Sequence, residues 1–142
     1  MPGHAGVHDT PEPGDGIVAL LYKKKILFYG LLADTRDSTG IFQHARFSVP
    51  WFEHGYCTDD NARALLLTVL LEELEECPPD IRNLRSAYAA FLQHAFVSAT
   101  GRFRNFMGFD RHWLEEHGSE DSHGRALWAL GAAIGRTKSD SL

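Results

Sequence analysis

The sequence predicts an all-α protein built from helical hairpins, and three observations carry that prediction. The string Thr58-Asp59-Asp60-Asn61-Ala62-Arg63-Ala64-Leu65 returns as Ser119-Glu120-Asp121-Ser122-His123-Gly124-Arg125-Ala126-Leu127, with starts 61 positions apart. Self-similarity at a fixed period marks repeated supersecondary units, and this period suits a helical hairpin with its loops. Both copies also read as helix starts: Thr58 and Ser119 are N-cap types, and the carboxylates behind them complement the helix dipole. Behind each start, apolar residues recur at helical spacing.

The first elements are weakly marked. Residues 1–16 are rich in Pro and Gly and are expected to be disordered, with a single partial helical domain over 17–142. Leucines at 20, 21, 27, 31 and 32 favour a helix over 17–33, although the aromatic and β-branched content also permits a strand. Asp34 to Gly40 is a polar turn, and Ile41 to Phe47 alternates enough to be short and extended.

The helices that follow are clearer. The first predicted one runs from about Asp59 to Glu76; Ala62, Leu65, Leu66, Val69 and Leu70 form a stripe that Leu67, Leu71 and Leu74 widen most of the way round. Cys77-Pro78-Pro79 stops it. The second starts near Pro79-Asp80, with Ile81, Leu84, Tyr88, Phe91, Leu92 and Ala95 on one side, and is predicted to end at Thr100-Gly101. Arg102 to Phe109 reads as an extended segment or loop. The last helix begins behind Ser119 and carries Ala126, Leu127, Leu130 and Ile134. It has no return helix to cover its apolar face, so the sequence predicts the front part of a longer protein, prone to self-association through that face.

Composition narrows the function. With 142 residues, 44% of them hydrophobic, the chain can bury a core. The net charge of −5 disfavours nucleic acid, and no stretch approaches the ~20 apolar residues of a membrane span. Two cysteines make neither a disulfide framework nor a zinc set, so a reducing, cytoplasmic setting is expected. No histidine pair carries a zinc signature and no Gly-rich phosphate loop is present; neither metal nor cofactor is expected.

Polar chemistry beside aromatic rings concentrates in His54 to Arg63, Arg102 to Glu116 and Gly118 to Arg125. All three lie at the same ends of the predicted hairpins. Carboxylates beside Trp, Tyr and Phe suit a saccharide, because rings stack on sugar C–H faces while polar groups bond the hydroxyls. Paired carboxylates also suit acid–base work on a glycosidic bond. The candidate carboxylates are Asp59, Asp60, Asp110, Glu120 and Asp121. Asp59-Asp60 and Glu120-Asp121 equally fit plain helix caps, and Asp110 equally fits a local pair with Arg111 or Arg104. The candidate sugar contacts are His54, Tyr56, Asn61, Arg104, Asn105, Arg111, Trp113 and His123. Arg63 and Arg125, at matching positions, fit an internal brace better than a substrate contact.

Gly55 to Leu65, Arg102-Phe103-Arg104-Asn105-Phe106-Met107, Gly118 to Trp128 and Thr39 to Ala45 together resemble a bacterial family identified as glycosyltransferases or glycosyltransferase-associated proteins. The resemblance spans residues 34–136 and implies a six-hairpin (α/α)6 toroid, of which this chain would form an incomplete ring. It implies an oligosaccharide substrate and glycosyl transfer or hydrolysis, with the chain inactive alone. A sugar epimerase using His44, His54 and His123, or a non-catalytic module binding sugar or protein, are the rival expectations.

Overall fold

The computed structural model describes residues 32, 34–47, 49–74 and 77–136. The expectations for residues 1–16 and for nearly all of the helix over 17–33 lie outside the described residues.

The architecture corrects the all-α prediction. Among the described residues, three α-helices, α1 (Thr58–Glu72), α2 (Ile81–Ala95) and α3 (Glu120–Arg136), and a short 3-10 turn (Phe52–His54) are combined with six strands of two residues each in three small antiparallel sheets. The first sheet joins β1 (Ala45–Arg46) to β2 (Val49–Pro50); the second joins β3 (Tyr56–Cys57) to β6 (Phe106–Met107); the third joins β4 (Phe96–Val97) to β5 (Arg102–Phe103). The described chain is therefore a small α/β protein and not an all-α toroid. The reason is local: the segments between helices lie partly buried, and buried backbone N–H and C=O groups must be paired. They pair with each other across long separations in sequence.

One of those pairings organises the whole helix-head end. Phe42 bridges Tyr56, Tyr56 pairs with Met107, and Met107 bridges Trp113, so four chain segments lie side by side. Phe42, Tyr56 and Met107 point into the core from this miniature sheet.

α1 is the central helix, packed against both α2 and α3. It buries Ala62, Leu65 and Val69 as well as Ala64, Thr68 and Leu71, while Leu70 and Leu74, predicted to belong to the stripe, are exposed. α2 folds back as a hairpin: Glu72 at the end of α1 pairs with Arg85 near the start of α2. α3 runs in the same direction as α1. Their heads are joined by Asp59 and Arg125 at 2.5 Å, their tails by Glu73 and Arg136 at 2.9 Å. Ala126, Ala129 and Ala133 face α1, and their small side chains permit the close approach.

Helix ends depart from the prediction for identifiable reasons. α1 stops at Glu72, where the Leu74 N–H turns back to Leu71 O at 3.2 Å. α2 stops at Ala95 because Phe96 and Val97 pair with Phe103 and Arg102. Gly101, with φ +67°, turns that hairpin instead of capping the helix; a left-handed glycine serves either purpose.

α3 leaves Leu127, Trp128 and Ile134 exposed, and an apolar groove of about 420 Å³ runs between α2 and α3 over Ala89, Ala90 and Ala133. Among the described residues, no helix is long and apolar enough to cross a membrane.

Candidate functional site

The first polar string is used largely to seat the head of α1. Cys57, one residue before the predicted cap, is the N-cap: its Sγ accepts from the Asp60 N–H at 3.5 Å and its thiol donates to Asp60 Oδ2 at 3.0 Å. Burial pushes the Cys57 thiol far above its usual range, and the Asp60 carboxylate adds to the effect. Thr58 is thereby released to donate to Arg104 O at 2.5 Å, while Asn105 accepts the Thr58 and Asp59 amides through its carbonyl (2.8 Å) and side chain (3.2 Å).

Asn61 is fully buried. Its Oδ1 accepts the Ile41 N–H at 3.0 Å, and its Nδ2 donates to Cys57 O at 2.9 Å and Ile41 O at 3.3 Å. The amide thus clamps the 40–42 segment onto α1. Gly40 leaves it room, since a Cβ there would collide with Asn61 Oδ1.

The second string keeps its cap where the sequence predicts it. Ser119 Oγ accepts the Ser122 N–H at 3.2 Å, and Ser122 Oγ donates to Ser119 O at 2.9 Å. Glu120 pairs with Arg102 at 2.7 Å, and that guanidinium holds its carboxyl below the usual carboxylate range. His123 lies against the Phe103 ring, with Nδ1 buried and unbonded.

The matching arginines of the two strings converge on one carboxylate. Arg63 Nη2 lies 3.0 Å from Asp59 Oδ2, and Arg125 Nε lies 2.5 Å from Oδ1. Oδ1 is buried and receives no well-angled hydrogen bond, so the Arg125 contact is one of charge rather than of donor alignment. Beside this junction, Glu120, Asp121, Gly124, Arg125 and Trp128 line an open depression of about 350 Å³. Trp128 is 64% exposed there. Asp121 has no ion-pair partner among the described residues.

The third segment forms a separate network. The Tyr56 hydroxyl donates to Asp37 Oδ2 at 2.6 Å, Arg111 Nη2 meets the same oxygen at 3.1 Å, and Arg111 Nε donates to Thr39 Oγ1 at 3.1 Å. Arg111 holds a left-handed φ of +65°, a strained conformation for a residue with a Cβ. Phe52 stacks on Phe109 beside it, with ring centroids 4.8 Å apart. Asp110 accepts the His112 N–H at 3.1 Å and points its second oxygen at His112 Nδ1, 3.3 Å away. Trp113 packs on Phe91 and His94 beneath Arg104, whose guanidinium lies 5.8 Å above the ring. Glu115 accepts the Asn105 and Phe106 amides at 2.8 and 2.9 Å.

Burial pushes the Tyr56 phenol up to about 12, reinforced by its bond to Asp37, and burial does the same to Tyr88. A folded value above the unfolded value of about 10 means stability is full below pH ~10 and declines as pH rises through ~12. An ultraviolet difference titration is expected to show a late phenol step that shrinks in Tyr56→Phe and in Tyr88→Phe.

The structure thus brings Asp59, Glu120 and Asp121 together around Arg125. Asp60 turns instead to Cys57, and Asp110 to His112. Tyr56 and Asn61 are buried, and Asn105, Arg104, Arg111 and Trp113 belong to the supporting turns. His54 lies against Trp51 and His44, with ring centroids at 4.7 and 4.6 Å. Among the described residues no contact joins that pair to His123, and no cluster of His, Cys, Asp or Glu suits a metal. Sequence reasoning did not place Trp128 in a site. The available signal was its helical spacing from Asp121 through Gly124 and Arg125. Glu115 and Asp37 left no such signal. Compared with protein-family models, curated proteins and solved structures, the chain matches none.

Proposed function

We propose that this chain recognises a saccharide in the depression at the head of α3. The observation that carries the reading is the lining itself: an exposed indole, two carboxylates and an arginine around about 350 Å³. The Trp128 ring offers an apolar face to sugar C–H groups, Glu120 and Asp121 accept hydroxyl hydrogens, and Arg125 donates to hydroxyl oxygens. Arg102 beside Glu120 holds its carboxyl in the ionised form that accepts hydroxyl hydrogens, which suits binding. One feature favours a second reading, in which the site acts on the bound sugar: Asp121, free of ion pairs among the described residues, is the carboxylate available as a base.

Titration calorimetry with short neutral oligosaccharides of glucose, mannose and galactose tests both. Trp128→Ala is expected to weaken the best of these by about tenfold or more. Asp121→Asn is expected to weaken it by only a few-fold, and to abolish turnover if any sugar is converted. A Trp128→Ala protein that binds like wild type would sink the saccharide reading.

A further inference from the structure

α3 presents apolar residues on two sides. Its inner side sets Ala126, Ala129 and Ala133 against α1, but Leu127 and Ile134, two turns apart on one outer side, are 52% and 73% exposed. Ile134 also forms a wall of the groove between α2 and α3, with Leu130, Ala89 and Ala90, and among the described residues nothing charged lines that groove. Between the two large residues sits Gly131, where a Cβ would meet nothing within 4 Å. A glycine weakens a helix interior, and no contact among the described residues calls for one here. A second helix crossing closely over Gly131 would.

Size and symmetry decide what crosses there. α3 has 17 residues and so is about 25 Å long, and with the α2 wall the face is about 20 Å across. Covering it hides about 500 Å² per molecule, or roughly 1,000 Å² in total, at the lower bound for a specific interface and well short of a permanent one. The face is also self-complementary. In an antiparallel pair about a two-fold axis beside Gly131, Leu127 of each copy meets Ile134 of the other, because one precedes the glycine by four residues and the other follows it by three. That arrangement opposes the two helix dipoles. A chain of net charge −5 repels its own copies, and an uncharged patch is where such copies can meet. We infer that α3 and the groove beside it form a weak two-fold homodimer interface, with Leu127 of each copy packed on Ile134 of the other across Gly131. Trp128 stands about a third of a turn round the helix from that ridge, so the saccharide depression stays open and the dimer does not depend on it.

Sedimentation equilibrium of the whole chain, from about 10 μM to 1 mM, tests the dimer. The average mass is expected to rise from one chain toward two, with a dissociation constant on the order of 100 μM. Ile134→Asp, at an exposed site the fold does not need, is expected to weaken association more than tenfold. Gly131→Ala separates association from stability: it is expected to raise the urea midpoint, because alanine suits a helix, yet to weaken the dimer several-fold by holding the helices apart. Association equal to wild type in either variant would overturn the inference. Chains carrying Leu127→Cys and chains carrying Ile134→Cys, both with Cys77→Ser, are mixed and mildly oxidised; the mixed disulfide is expected in excess over either like pair. An excess of like pairs would rule out the antiparallel register and with it the interface. A wild type that stays monomeric throughout would also overturn it, whether the face is bare or covered by another part of the same chain. So would growth past the dimer, which a closed two-fold does not allow.

Discussion

Glu72→Ala is expected to destabilise the fold by about 3–5 kcal/mol, the largest effect of any single charge removal here. Arg85 is only 3% exposed, and Glu72 is its ion-pair partner. Its Nε has no other bond. Removing the carboxylate leaves a guanidinium buried and uncompensated, which is far worse than losing a surface pair. Glu72 also faces Arg82 at 3.8 Å, but Arg82 is largely exposed, and exposed pairs contribute about 0–1 kcal/mol. Urea denaturation checks the contrast: Arg82→Ala is expected to leave the midpoint nearly unchanged. Glu72→Ala should consume a large share of a stability that is about 5–15 kcal/mol for ordinary domains. Replacing both partners, Glu72→Leu with Arg85→Met, is expected to recover most of the loss, because two apolar groups leave no unpaired charge. A Glu72→Ala protein melting with wild type would mean that Arg85 reaches water.

Asn61→Ala is expected to cost about 2–4 kcal/mol, the sum of a vacated buried site and unpaired backbone groups. Three hydrogen bonds end on this side chain, and the Ile41 N–H, Ile41 O and Cys57 O would lose their partner together. Because these bonds hold the 40–42 segment against α1, the damage should be felt locally first. Hydrogen exchange at the Ile41 amide is expected to accelerate well beyond the change in global stability. Equal protection in both proteins would show that the clamp is dispensable.

Asn61 also shows where reading the sequence stops short. As part of a Thr-Asp-Asp-Asn string it looks like a hydroxyl ligand, since nothing in a residue type says whether its amide meets a sugar or a peptide. Its role depends on a loop that starts some twenty residues earlier and packs over it. The helix starts, by contrast, were legible because caps and dipoles act within one turn. Even there the cap moved from Thr58 to Cys57, a residue seldom considered for it. The α1 stripe was right at Ala62, Leu65, Val69 and Leu71 but too broad, since Leu70 and Leu74 are exposed. The short strands were not legible: two-residue pairings such as Tyr56–Cys57 with Phe106–Met107 join segments some fifty positions apart and leave no periodicity to detect. Of the candidate site, the gathering of Asp59, Glu120 and Asp121 near one end followed from the repeated string. The engagement of Asp59 by both arginines did not, because it depends on how closely α3 approaches α1.

That approach has a consequence for how the molecule can change over time. α1 buries eight of its fifteen residues, against neighbours on two sides. α3 turns only Ser122, Ala126, Ala129 and Ala133 fully inward, about one residue per turn, with ion pairs from Arg125 and Arg136 at its two ends. Asp121, Gly124 and Trp128 stand on its outward side, where substitutions leave the interior untouched. Substitutions on that side would therefore be expected to change the surface of α3 while the scaffold stays the same.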